Sequence, residues 1–143
     1  MSISNDILHE YLQASRQISE KFRVYYGKLN LTYPQSIVLA ILEADGPMPI
    51  SALAEAAGSA NSTISGVVDR LEKMDLVQRV RSDTDRRVIY VSTTERFRSQ
   101  FKQMKSSACG QFDQALRSLT QKEAQTVLDG LSLLNRVLQE RDN

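Results

Sequence analysis

Apolar residues along the first thirty positions recur at helical spacing. Leu8, Tyr11, Leu12, Ile18, Phe22, Tyr25 and Leu29 fall on one broad face, and no Gly or Pro intervenes before Gly27. The pattern predicts a long amphipathic helix over about residues 5–29. Leu31-Thr32-Tyr33-Pro34-Gln35 reads as the next helix start. Thr32 can accept from the N–H of residue 35, Gln35 can reach back, and Pro34 sits where a missing N–H does no harm. Ile37, Val38, Ile41 and Leu42 supply its apolar face, and Asp45-Gly46-Pro47 ends it. Ser51 is expected to cap a short helix containing Leu53, Ala54 and Ala57, closed by Gly58. Gly58 to Asn61 lead into another helix with Ile64, Val67, Val68 and Leu71 on one side. Two short helices joined through a tight Gly-containing turn are the pattern of a helix-turn-helix.

The period changes after Leu76. Val77, Arg79 and Arg81 alternate with polar positions, and Val88, Tyr90 and Ser92 alternate with Arg87, Ile89 and Val91. These predict two strands of a hairpin with Ser82-Asp83-Thr84-Asp85-Arg86 at its tip. A two-stranded hairpin is not stable alone, so it must lean on the preceding helices. Thr94 then caps a helix expected to run for about 24 residues through Phe97, Phe101, Met104, Ala108, Phe112 and Ala115. Thr120 with Glu123 forms a second capping box. The last helix carries Val127, Leu128, Leu131, Leu134, Val137 and Leu138. The fold class is mainly α with a small β hairpin, with no internal repeat and no low-complexity linker.

Composition narrows the chemistry. The chain has 143 residues with 41% hydrophobic positions, enough for one domain with a real core. Eighteen basic residues against seventeen acidic ones leave +1, so an anionic partner must be drawn by a local patch. One Cys and one His cannot build a Cys/His zinc cage or an internal disulfide within one chain, and no metal or cofactor site is expected. No apolar run approaches the length of a membrane span. Asp6, Glu10, Arg16, Glu20 and Lys21 make the start of the chain unlike a secretory signal, so a cytoplasmic location is expected. There is no Gly-rich phosphate loop and no paired nucleophile and base, so no enzyme is expected.

The order of helix, helix-turn-helix, charged hairpin and two long helices resembles the MarR family of winged-helix transcriptional regulators, over nearly the whole chain. The most specific stretch runs from Ser62 to Val91. Within it, Ser62 to Lys73 looks like the family's recognition helix, and Asp83-Thr84-Asp85-Arg86-Arg87 looks like its wing. Leu31-Thr32, Gln35 and Val38-Leu39 fit the helix before the motif. Three positions depart from the pattern. Gly66 stands where the recognition helix often has a larger side chain. Asp75 stands where many members have Gly, and Asp tolerates left-handed geometry better than most residues. Phe97 replaces a Gly common near the start of the following helix.

The resemblance implies a single MarR-like domain over 1–143. Residues 32–92 would form the winged-helix DNA-binding lobe, and residues 1–31 and 93–143 a helical dimerisation lobe. It implies a DNA-binding transcriptional regulator, a homodimeric repressor released by a small-molecule ligand. The alternative is a winged-helix protein-interaction module without DNA binding. Physical chemistry supports the first reading at named positions. A helix fits the major groove with its first residues facing base edges, and Asn61, Ser62, Thr63 and Ser65 are short and polar. Arg70, two turns on, suits a phosphate. Arg86 and Arg87 suit the negative minor groove, with Asp85 shaping the wing. Taken alone, Ser62 and Thr63 read equally well as helix caps, and the charged tip as a solvated turn.

Between Asn61 and Val91, six cations face five acids, so any basic footprint depends on which side each group takes. Ile3, Ile7, Leu8, Leu131, Leu134, Val137 and Leu138 are apolar surface for a second copy. A two-fold pair would set the recognition helices roughly 34 Å apart on a pseudo-palindromic duplex operator. A small aromatic or phenolic effector is the implied partner, with Tyr11, Phe22, Tyr25, Tyr26 and Tyr33 as candidate lining, although such aromatics also serve as core. Hydroperoxide-sensing relatives carry a Cys near the first helix. This chain's Cys109 and His9 read instead as a small packing residue and a helix-surface or interface residue.

Overall fold

The computed structural model describes residues 2–101 and 108–140. It divides into two compact units, Met1–Cys109 and Gly110–Asn143.

In the first unit, α1 (Ile3–Tyr25) starts at Ser2, whose hydroxyl accepts from the Asn5 N–H at 3.4 Å. It is shorter at its far end than the periodicity predicts. A short 3-10 turn, Gly27–Leu29, follows, and Asn30 takes a left-handed φ of 52°. The helix α2 (Tyr33–Asp45) opens with the predicted capping box. The Thr32 hydroxyl accepts from Gln35 N–H at 3.3 Å, and Gln35 Oε1 accepts from Thr32 N–H at 3.0 Å.

The next helix, α3 (Ile50–Ala57), begins one residue before the expected Ser51 cap. Pro49 is its N-cap, a residue already held extended before the helix, and Ser51 lies inside the first turn. Gly58 closes α3 at φ 65°, with Gly58 N–H on the Glu55 carbonyl at 3.1 Å and Ser59 N–H on Ala54 at 2.9 Å. The same closure recurs after α4 (Asn61–Lys73). Asp75 N–H reaches Glu72 and Leu76 N–H reaches Leu71, each at 3.0 Å, with Asp75 left-handed at φ 59°. Asp thus fills the position where Gly is usual, as its tolerance of this geometry predicts.

The hairpin pairs β1 (Val77–Arg81) with β2 (Ile89–Thr93), antiparallel, in the register Val77↔Thr93 to Arg81↔Ile89. Its second edge is stitched by Met48, which exchanges both backbone hydrogen bonds with Val91 at 3.1 and 2.8 Å. The core gathers Val38, Leu39 and Leu42 of α2, Leu53 and Ala54 of α3, Ile64, Val68 and Leu71 of α4, and Leu76, Val77 and Val91.

After the Thr94 cap, α5 (Glu95–Phe101) begins with Phe97 N–H on the Thr94 hydroxyl. Phe97 is buried against Tyr26, with ring centroids 6.3 Å apart. That gives a packing role to a departure from the family pattern. The expected 24-residue continuity of this helix, and Met104 with it, lies outside the described residues, as does the side chain of Cys109.

The second unit holds all but the first two residues of α6 (Ala108–Leu116) and the whole of α7 (Gln121–Glu140), the latter opened by reciprocal Thr120–Glu123 bonds at 3.1 and 3.3 Å. No residue of α7 is buried.

Candidate nucleic-acid interface

The start of α4, like that of α3, has no side-chain cap. Its N-cap is Ala60, which has no side-chain acceptor. Ser62 and Thr63 do not cap; they stand exposed in the first turn with Asn61. The first-turn N–H groups keep their partial positive charge, which suits an anion. Ser65 is half-buried, one turn after Asn61. Gly66 is exposed, and nothing lies within 4 Å of where a Cβ would stand, so the surface dips there. The apolar residues Ile64, Val68 and Leu71 fix this rotation by burying the opposite side. Arg70 and Lys73 stand exposed toward the far end, with no ion pair among the described residues.

The wing is built by its polar side chains. Ser82 Oγ accepts from the N–H groups of Thr84 and Asp85 at 3.3 and 3.2 Å. Asp85 Oδ1 accepts from Arg87 N–H at 3.1 Å and from Arg87 Nε at 3.2 Å. The Arg87 side chain and backbone donors hold the Asp85 carboxyl below its usual range. Arg87 is nonetheless 92% exposed, so the pair aims the guanidinium outward without covering it. Arg81 donates to the Arg86 carbonyl, bracing the tip, while the Arg86 side chain has no ion pair among the described residues.

Arg79, on the first strand of the wing, is tied to the recognition helix. Its Nη2 lies 2.8 Å from Asp69 Oδ1 and its Nη1 lies 3.1 Å from Glu72 Oε1, both on α4. Sequence reasoning missed this. The one available signal was Asp69 and Glu72 at i, i+3 on one helix edge, followed by Arg79 in phase with Val77 on the strand. With those acids answered, and Asp75 within 3.8 Å of Arg96, the unanswered charges on α4 are Arg70 and Lys73. The hidden pairing leaves Arg70, Lys73 and Arg86 as exposed cations without an ion pair among the described residues.

The aromatic set divides. Phe22, Tyr25 and Tyr26 are buried, at most 8% exposed, and offer little surface to a ligand in this chain. Phe22 lies 6.2 Å from Tyr33 by centroid, and Tyr25 meets Tyr26 edge-on at 4.7 Å. Tyr26 OH donates a very short bond to Glu43 Oε1. Burial pushes the Glu43 carboxyl above its usual range, partly offset by that bond. Burial and then the Glu43 charge push the Tyr25 phenol up to about 12. Tyr11 and Tyr33 remain exposed. A cavity of about 380 Å³ lies at the end of α2, lined by Glu43, Pro47, Thr93, Phe97 and Arg98 among others, and by none of the five aromatics. No cluster of metal-ligating side chains occurs among the described residues, and no described helix is long and apolar enough to cross a membrane.

Residues 31–89, from the end of the 3-10 turn to β2, match the MarR family model. The HTH-type transcriptional regulator YfiV of Bacillus subtilis is 36% identical over 112 residues, 78% of this chain and 70% of that protein. A crystal structure of a probable transcriptional regulator from Pseudomonas aeruginosa shares 29% identity and a TM-score of 0.67, covering 93% of this chain and 99% of that one. BpsR of Bordetella bronchiseptica, whose DNA binding is regulated by 6-hydroxynicotinic acid, shares the fold at 22% identity and a TM-score of 0.67, over 94% and 96% of the two chains. Recognition helix, wing and relatives agree: the chain belongs to the MarR family of winged-helix, DNA-binding transcriptional regulators.

Proposed function

We propose that the protein acts as a homodimeric repressor of a pseudo-palindromic operator and is released by a small aromatic or phenolic effector. The observation that carries the DNA contact is the uncapped start of α4, with exposed Asn61, Ser62 and Thr63, in the same compact unit as a wing that presents Arg86 and Arg87. In this reading the first turn of α4, with Ser65, meets base edges and phosphates in the major groove. Arg70 meets a phosphate, and Arg86 and Arg87 enter the minor groove on the frame that Asp85 holds.

Two exposed apolar faces support the dimer. On α1, Ile3, Ile7, Leu8, Tyr11 and Leu12 are open to solvent. On α7, Val127, Leu128, Leu131, Leu133, Val137 and Leu138 are equally open, and Leu134 is half-buried. Runs of this size on monomers mark association surfaces, and burial returns about 25 cal/mol per Å². Where the helical lobe meets the winged helix, the exposed Tyr11 and Tyr33 would face an effector, with Phe22, Tyr25 and Tyr26 packed behind. A cytoplasmic location follows from the same reading.

The test is a gel shift with the intergenic DNA beside the protein's own gene, repeated with hydroxylated aromatic acids. A retarded band lost on adding one of them is the expected result. No binding to duplex DNA of any sequence at low salt would leave the protein-interaction reading in its place.

A further inference from the structure

A recognition helix approaches a polyanion, yet α4 carries Asp69 and Glu72 on its exposed side. Left alone, each would repel phosphates lying within a Debye length, about 8 Å at physiological salt. The strand β1 supplies the answer. Its pleat turns Arg79 to the same face as buried Val77 and, across the ladder, buried Val91. That face is the one packed on the helices, and from it the guanidinium forks onto both acids, at 2.8 Å to Asp69 and 3.1 Å to Glu72. The Arg79 side chain is 27% exposed, against 92% for Arg87 at the tip. A planar fork can span two carboxylates at once; a lysine ammonium is a single point charge.

We infer that Arg79 is a positioning residue for DNA binding, clamping the root of the wing to the recognition helix and cancelling the two carboxylates of that helix. This rests on the DNA-binding assignment. The fork fixes β1 against α4 at two points one helical turn apart, so helix and wing meet the duplex with a set spacing. Without it, the wing root loosens and the helix presents two uncancelled anions. Arg79 therefore works through Asp69 and Glu72 and touches no phosphate.

The experiment is a double-mutant cycle on the full-length protein: parent, R79Q, D69N/E72Q and R79Q/D69N/E72Q. Each is titrated onto a fluorescent operator duplex and a random duplex between 50 and 200 mM salt, with thermal melts as controls. R79Q is expected to weaken operator binding by about tenfold or more in the parent background and by less than about threefold once the acids are amides. R79K keeps a cation and a folded chain even where R79Q does not. It is expected to fall between parent and R79Q, and to match the parent in the amide background.

Equal losses from R79Q in both backgrounds, with the salt slope shallower by about one unit per protomer in each, would mean a direct phosphate contact and overturn the clamp. R79Q binding as tightly as the parent overturns it as well. A parent protein that binds neither duplex removes the DNA-binding reading itself, and the clamp with it, whereas a binding parent with an uncoupled cycle removes the clamp alone.

Discussion

Replacing Arg86 and Arg87 together with Ala isolates the wing's share of DNA binding. The tip carries Asp83, Asp85, Arg86 and Arg87, so the change takes it from neutral to two net negative charges. Removing Arg87 also frees Asp85, whose carboxylate loses its guanidinium partner at 3.2 Å. Each phosphate neutralised by the protein contributes about 0.9 to the slope of log K against log salt. A dimer has two wings. If all four arginines meet phosphate, the slope becomes shallower by about 3.6, and if one per wing does, by about 1.8. Over the fourfold span from about 50 to 200 mM salt, the first case makes the deficit at the low end about a hundredfold larger than at the high end, and the second about tenfold. Fluorescence anisotropy on an operator duplex across that range reads the slope directly. The backbone of the hairpin does not depend on these side chains, since β1 and β2 pair outside the tip, so the melting temperature should hold. A double variant with the parent's slope and affinity would refute the placement of the wing on DNA.

Other perturbations test other parts of the account. Asp75→Ala removes the residue type suited to φ 59° and should lower stability by about 1 kcal/mol, or about 2–4 °C in melting temperature, while Asp75→Gly should match or exceed the parent. An Ala variant as stable as the parent would contradict the strained cap. Glu43→Gln keeps an acceptor for Tyr26 and removes a carboxyl whose folded pKa burial raises above 4.5. The parent's penalty is absent below that value and grows as pH rises through the folded pKa, so the variant should melt higher at pH 8 and equally at pH 4. A gap that widens toward acid pH would reverse that sign. Leu131→Glu places a charge in the open face of α7 and should shift light scattering from dimer to monomer mass; an unchanged dimer would move the interface elsewhere.

What could be read from the sequence was mostly local. Thr32 with Gln35, and Thr120 with Glu123, make their bonds across three residues, so a four-residue string suffices to see them. Gly58 and Asp75 announce left-handed closures by the same locality. The expected Ser51 cap failed because Pro49, two residues earlier, already holds the extended geometry that a cap requires, so the helix begins sooner. Taken alone, Ser62 and Thr63 read equally well as caps, and the true cap, Ala60, has no signature at all. Phe97 and Arg79 were opaque because their partners are distant in the chain. Phe97 rests on Tyr26, from the other end of the unit, and Arg79 reaches back to Asp69 and Glu72. Spacing rules report what a residue can do within a turn or a strand, while these two act between elements.

The Met48 bridge leaves the small sheet lopsided. At Val91, β2 is paired on both sides, so the sheet's unsatisfied rim falls mainly to β1. That rim carries the exposed Arg81, and charge on a border strand discourages a stranger chain from zipping onto it. The projecting ribbon thus offers a second chain one open border rather than two, and that border bears a charge.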